Sequence, residues 1–299
     1  MHRCFLTIAV CLSASATALA RDIYVDNLSG DDRNDGAIAT TNSSGSGPCR
    51  TIARALRAAQ KGDRIVLANT GEPYRESITL QGGRNSGFAE DPLVIVGNGA
   101  VLDGSQPVPK DGWKHVAGDV FSFRPHLLAY QQLFLDDRPA VRQPVTADFT
   151  MPELEPREWC LFDRAIRFRT EEFRTPAEYN LTYAALPVGI TLYEVRHVVI
   201  RDLTVQGFQL DGINAHDSAF DVLLYNVTAR GNGRSGVSVG GASRVRFESS
   251  LIGNNGAAQL RTEGFSHTHV FNSDLLDNTA PPIVQNGGEV TVEDTRPTE

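Results

Sequence analysis

Three side chains in this 299-residue chain are well suited to moving protons beside an anionic group: the imidazole of His216, the guanidinium of Arg261 and the carboxylate of Glu263. An imidazole exchanges protons near neutral pH, and a guanidinium neutralises a carboxylate through a planar fork of donors. A carboxylate nearby can serve as acid, base or orienter. Together they suit acid–base work on an acidic sugar. Glu263 lies 47 residues after His216, so only a periodic fold can bring them to one face. Asn214, Tyr193, Asp211 and Asp217 fall around the same register and form a candidate substrate-binding set. The competing reading is a solvated polar face with incidental pairs.

The chain carries the required period. Segments beginning at Gly189, Gly212, Gly236 and Gln259 superpose, with a first apolar column at Ile190, Ile213, Val237, Leu260 and Val284. A second column reads Ile200, Leu224, Phe247 and Phe271, and a third Leu203, Val227, Leu251 and Leu275. The segments between are short, alternating and rich in β-branched residues, with Gly and Asn at the breaks, which is strand chemistry. A repeat of about 23–24 residues with such strands predicts a parallel β-solenoid, each strand pairing with its counterpart one coil on. If the first column points inward, the next residues point outward: Thr191, Asn214, Ser238, Arg261 and Gln285. Two positions further lie Tyr193, His216, Gly240, Glu263 and Gly287. Coils about 4.8 Å apart place His216 and Glu263 two rungs from each other, with Gly240 as an open notch between them. Asn232, Asn254 and Asn278 predict a structural ladder of stacked amides in one turn.

The N-terminal half adds a resemblance. Asp22-Ile23-Tyr24-Val25-Asp26, the polar turn Gly30 to Gly36, Pro48-Cys49-Arg50-Thr51-Ile52, Gly62-Asp63-Arg64-Ile65-Val66-Leu67 and Tyr74 to Ile78, taken with the repeat, resemble the right-handed parallel β-helix superfamily of pectate-lyase-like, exported proteins. The resemblance implies an all-β right-handed parallel β-helix, closed at its N-terminus by a short helix that Thr51 caps and whose Ile52, Ala55, Leu56 and Ala59 share a face. It also implies a polysaccharide partner, with lyase-type elimination at a uronate as the specific chemistry. Arg261 would be base or neutraliser and His216 the alternative base. Glycoside hydrolysis on this fold is disfavoured, because the paired Asp and the His of that pattern are missing around Asp211-Gly212 and Gly231-Asn232-Gly233. A stack of acids for catalytic Ca²⁺ is absent from the columns, whereas the turn at Asp31, Asp32, Asn34 and Asp35 is oxygen-rich and offers a structural Ca²⁺ site. His267 and His269 alternate on one strand but lack a third zinc ligand. The rival function is a non-catalytic cell-surface or adhesive β-helix that only binds.

The remaining signals set the organisation. Residues 1–20 have a basic start, an apolar run and Ala18-Leu19-Ala20, the pattern of a secretory signal peptide, which predicts a secreted, periplasmic or surface location. The rest reads as one domain: cap 21–62, first coils 63–105, an aperiodic aromatic-rich insertion 106–187 with strands near Val120–Phe123, Gln132–Leu135 and Ala165–Arg169, and regular coils 188–299. Its rings are expected to form the insertion's own core. Lys+Arg of 28 against Asp+Glu of 36 argues against nucleic acid, which needs a concentrated positive field. No later segment is long and apolar enough to span a bilayer. Cys49 and Cys160 are one conceivable disulfide, without support from their spacing. No cap is legible beyond the last coil, so a partner or further chain is expected to cover that end.

Overall fold

The computed structural model describes residues 20–42, 44–126 and 130–296; the segment 1–20 expected to be a signal peptide, apart from Ala20, lies outside them. The chain winds as a right-handed parallel β-solenoid with three strand faces. The first face stacks Ile78–Gln81, Ile190–Tyr193, Asp211–His216, Ser235–Val239 and the start of Ala258–Phe271, every pair parallel. The second runs from Asp22–Val25 through Arg64–Leu67 and the first halves of Leu93–Asp103, Arg196–Gln206 and Phe220–Arg230 to Arg244–Glu248. The third holds the second halves of those long strands, then Leu251–Gly253 and Asp274–Leu275. These long strands turn their corners at positive φ: Asn98 (52°) with Gly99 (80°), Asp202 (57°) and Asn226 (50°). Short polar side chains tolerate that conformation and bond locally. Here Asn226 donates its amide to Asp202 one coil away, at 2.8 Å.

Alternation on each strand sends apolar side chains inward. Ile190, Ile213, Val237 and Leu260 are fully buried in one column, as are Ile200, Leu224, Phe247 and Val270 in another. The expected columns hold until the later coils and then slip by one residue. Leu260 pairs with Ile283 rather than Val284, and Phe247 with Val270 rather than Phe271. On the third face Leu251 is 39% exposed and opposes the outward Thr228. The slip has a polar cause. Ser250 occupies the rung below Val227, accepting the Val227 N–H on its hydroxyl and donating its own N–H to Ser273. Two hydroxyls therefore hold the corner where two leucines were expected.

The amide ladder is shifted in the same way. Asn232 pairs with Asn255, not Asn254: both its backbone and side-chain N–H groups reach the Asn255 carbonyl oxygen, at 2.9 and 3.1 Å. Asn255 then donates to Gln259. Asn254 takes the positive-φ position of its turn (57°), as Gly231 does at 64° one coil earlier, so the residue after it becomes the buried rung. Asn254 and Asn278 form a separate exposed pair.

The N-terminal end is closed by helix α1 (Ile52–Ala58), with the Thr51 hydroxyl accepting the Arg54 N–H and Ile52, Ala55 and Leu56 buried. The Asp31–Asp35 turn directs its oxygens to separate partners: Asp31 to Arg33, Asp32 to Arg50 and Thr51, and Asp35 to Ala37 and Ser46. The insertion is an enlarged turn between the third and first faces. It leaves after Asp103 and returns at Leu186, with Ala185 and Leu186 both donating to the Gly104 carbonyl. It forms two antiparallel sheets: Trp159–Phe162, Ala165–Arg169, Val120–Phe123 and Lys114–Ala117 in one, and Ser105–Pro107, Leu181–Ala184, Leu133–Leu135 and Arg138–Pro139 in the other. Phe123, Trp159 and Phe168 form its core with Trp113, Tyr179 and Tyr183 against them. Cys49 and Cys160 are free and buried rather than bridged, and burial pushes the Cys160 thiol up to about 11. No helix among the described residues is long and apolar enough to cross a membrane.

Candidate functional site on the first face

Parallel pairing sets the outer surface of the first face rung by rung. Tyr193 and His216 are register partners, their rings 5.1 Å apart and tilted by 53°. His216 Nδ1 lies 3.5 Å from the Asp217 carboxylate, which the turn presents at a φ of 64°. The neighbouring Glu194 and Asp217 carboxylates push the Tyr193 phenol above its usual range, because a phenolate beside them would be repelled. Two coils on, Arg261 donates Nε–H to Glu263 at 2.6 Å. The two residues are spaced i, i+2, the interval that puts strand side chains on one face.

The strip thus holds two groups: Tyr193, His216 and Asp217 on the upper coils, and Arg261 with Glu263 below. Gly240 separates them. A Cβ added there would meet only the Glu263 Cβ, at 3.9 Å, so the notch is open to at least a methyl group. Gly240→Ala is accordingly expected to leave the melting temperature unchanged or slightly raised, since Gly240 follows the strand Ser235–Val239 without a positive φ and Gly→Ala at such a site gains about 0.4–1 kcal/mol by restricting the unfolded chain. Any ligand that enters the notch should bind more weakly to this variant. Thermal melts and a binding titration on the same sample check both halves.

Asp211 departs from the expected role. It is fully buried, so it does not reach a ligand. Arg234 donates Nε–H to one of its oxygens at 2.9 Å and an Nη–H to the other, while Ser235 and Asn214 donate as well. The carboxylate holds the Arg234 guanidinium protonated beyond its ordinary range. Arg234 follows Asp211 by 23 residues, one coil, and that spacing was the sequence signal for a pair that the column reading passed over. Asn214 remains on the strip, tied to this buried pair. In the last coil, Val284 opposes Arg261 and Asn286 opposes Glu263, in place of the expected Gln285 and Gly287.

The insertion docks on the corner between third and first faces, so closely that a Cβ on Gly233 would lie 1.8 Å from the Tyr130 carbonyl oxygen. Beside that contact it encloses a cleft of about 490 Å³ against the third face, lined by Asp103, Gln206 and Arg230 on the solenoid side. Elsewhere, His267 and His269 lie on the second face and pair with Glu289 and Glu293 of the next coil. Among the described residues no group of three or more His, Cys, Asp or Glu is placed to hold a metal ion.

Comparison with known proteins bears on this scaffold. Residues 188–297 match the family model described as the right handed beta helix region. Sequence comparison with curated proteins gives no match. Among solved structures, a glycoside hydrolase superposes with a TM-score of 0.60 at 13% identity, over 85% of this chain and 73% of that one. XylC in complex with xylose gives 0.44 at 12% identity over 91% and 70%, and pectate lyase Pel9A gives 0.36 at 13% over 91% and 68%. At these identities the likeness concerns the fold alone. Three stacked strand faces, inward apolar columns and one matched family region agree: this chain is a right-handed parallel β-helix protein.

Proposed function

We propose that the chain is exported and binds or modifies an extracellular polysaccharide, with lyase-type elimination at a uronate as the chemistry of its first face. The observation that carries this is the placement of Arg261 and Glu263 two rungs from His216 and three from the Tyr193 ring beside it, across the notch at Gly240. The guanidinium of Arg261 neutralises the uronate carboxylate, which acidifies the adjacent C–H. His216 takes that proton, the new double bond forms as the glycosidic C–O bond breaks, and the departing oxygen takes a proton from the Tyr193 phenol. Asp217 steadies the imidazolium that results. Asn214 contributes contacts along the strip.

A second reading is a β-helix that binds glycan without cleaving it. It is favoured by the pairing of His216 with Asp217 and Arg261 with Glu263, which leaves each cation with a partner of its own. Incubation with a panel of uronate and neutral polysaccharides, followed by ultraviolet absorbance of the unsaturated product, separates the two. Product should form from at least one uronate polymer and fall about 100-fold or more in His216→Ala, and comparably in Arg261→Ala. Binding of a uronate polymer without product selects the second reading. Neither binding nor product from any polymer would sink both.

A further inference from the structure

The cleft between insertion and third face has walls that are independent of the first-face strip. Its solenoid wall is a ladder over three successive coils. Asp103, Gln206 and Arg230 are register partners, with Gln206 donating to Asp103 at 3.0 Å and Arg230 donating Nε–H to Gln206 at 2.9 Å. The facing wall is the hairpin of Leu133–Leu135 and Arg138–Pro139. Its two-residue turn is Asp136-Asp137, both at positive φ (51° and 60°), the geometry of a tight hairpin turn. Phe134 lines the cleft from this wall, and Arg138 follows the turn.

We propose that this cleft binds a short run of neutral sugar, of di- or trisaccharide size. Its volume of about 490 Å³ falls in the range of small-ligand pockets. Its chemistry suits hydroxyl groups, which both donate and accept. Three carboxylates, Asp103, Asp136 and Asp137, accept, while Arg138, Arg230 and Gln206 donate. Phe134 offers the apolar surface that the C–H face of a pyranose covers. A uronate suits the hairpin wall poorly, because a ligand carboxylate beside Asp136 and Asp137 meets like charge, while the Asp103 charge is balanced by Arg75. A simple cation suits it no better, since among the described residues neither Arg138 nor Arg230 is neutralised by an ion pair. The inference stands apart from the uronate chemistry assigned to the first face. It concerns a different wall, a different ligand charge and no bond cleavage.

Calorimetric titration of the full chain with cellotriose, xylotriose, mannotriose and trigalacturonate tests it. At least one neutral trisaccharide should bind, and the affinity should fall tenfold or more in the double variant Asp136→Asn/Asp137→Asn and in Arg230→Ala. Asn accepts positive φ, so the hairpin turn survives the double change. Circular dichroism melts matching the parent check that the fold is intact. His216→Ala and Arg261→Ala should leave neutral-sugar affinity unchanged. The proposal is overturned if no neutral trisaccharide binds at millimolar concentration, if binding persists in folded cleft variants, or if only trigalacturonate binding responds to them. Absence of product from every uronate polymer in the parent protein, with cleft binding intact, would sink the lyase reading and leave this one standing.

Discussion

Asp211→Ala is expected to destabilise the protein by about 3–5 kcal/mol, because removing one partner of a buried ion pair strands the other. Asp211 is fully buried and serves four donors at once: two from Arg234, one from the Ser235 hydroxyl and one from the Asn214 amide. Truncation leaves a methyl group where two carboxylate oxygens stood, so Arg234 loses its counter-ion and both neutral donors lose their acceptor. Arg234→Ala should act similarly by stranding the carboxylate. The double variant should lose less than the sum of the two, since neither charge then remains unpaired. Denaturant midpoints for both single variants and the double close the cycle. Because a solenoid's coils stabilise mainly their neighbours, hydrogen exchange should also show the loss centred on 211–216 and 235–239. A drop below about 1 kcal/mol in Asp211→Ala would mean that the pair is solvated and the buried assignment wrong. On the first-face strip the same substitution frees Asn214, so glycan affinity there should fall with stability. Asn214→Ala should weaken affinity with little change in stability.

That pair also shows what the sequence made legible. The coil was readable because inward positions must be apolar at every turn, and this requirement repeats in register from Ile190 to Leu260. Reading failed where polar groups replaced apolar ones on the interior side. Ser250 with Ser273, and Asn232 with Asn255, satisfy backbone groups inside the corner, shorten the coil there by one residue and carry no apolar signature. A period averaged over apolar columns therefore slides past them, which placed Val284 and Phe271 one residue out of register. The outer strip follows from alternation, so His216, Arg261, Glu263 and Tyr193 could be placed on one face without coordinates. Depth was not readable in the same way. Asp211 looks from its spacing like a neighbour of the strip, but at the strand's first residue its carboxylate turns under the Arg234 of the next coil. The insertion's location follows from its being an enlarged turn between third and first faces. Its closure with the solenoid depends on contacts between residues some hundred positions apart, such as Tyr130 with Gly233, which no local pattern encodes.

Gly233→Ala is the substitution expected to detach that insertion. Its Cβ would lie 1.8 Å from the Tyr130 carbonyl oxygen and 2.4 Å from the Gln209 carbonyl oxygen. Both obstacles are backbone, so no rotamer change relieves them; the Tyr130 clash lies between insertion and coil, while the Gln209 clash lies within the solenoid and must be met by a local shift of that turn. The coil is the firmer. Gly233 N–H donates to the Phe208 carbonyl at 2.7 Å, and the Asn232–Asn255 ladder beside it is fully buried. Val205, Ala229 and Ile213 behind it are buried as well. The insertion should therefore shift outward, at a cost of about 1–3 kcal/mol or somewhat more. Gly256 sits one coil further on, and its Cβ would meet the Gln132 side-chain nitrogen of the insertion at 2.6 Å, so the same seam is narrow there too. Limited proteolysis should cut Gly233→Ala faster than the parent within 125–145 while the coils after Ile190 stay protected. Affinity for a neutral trisaccharide should fall tenfold or more, because the cleft has one wall on each body. Chemistry on the first face should persist, since Tyr193, His216, Arg261 and Glu263 are all carried by the solenoid. Unchanged proteolysis together with unchanged trisaccharide affinity would show that the insertion is not held by this seam. Equal loss of both activities would show that the first face depends on this seam as well.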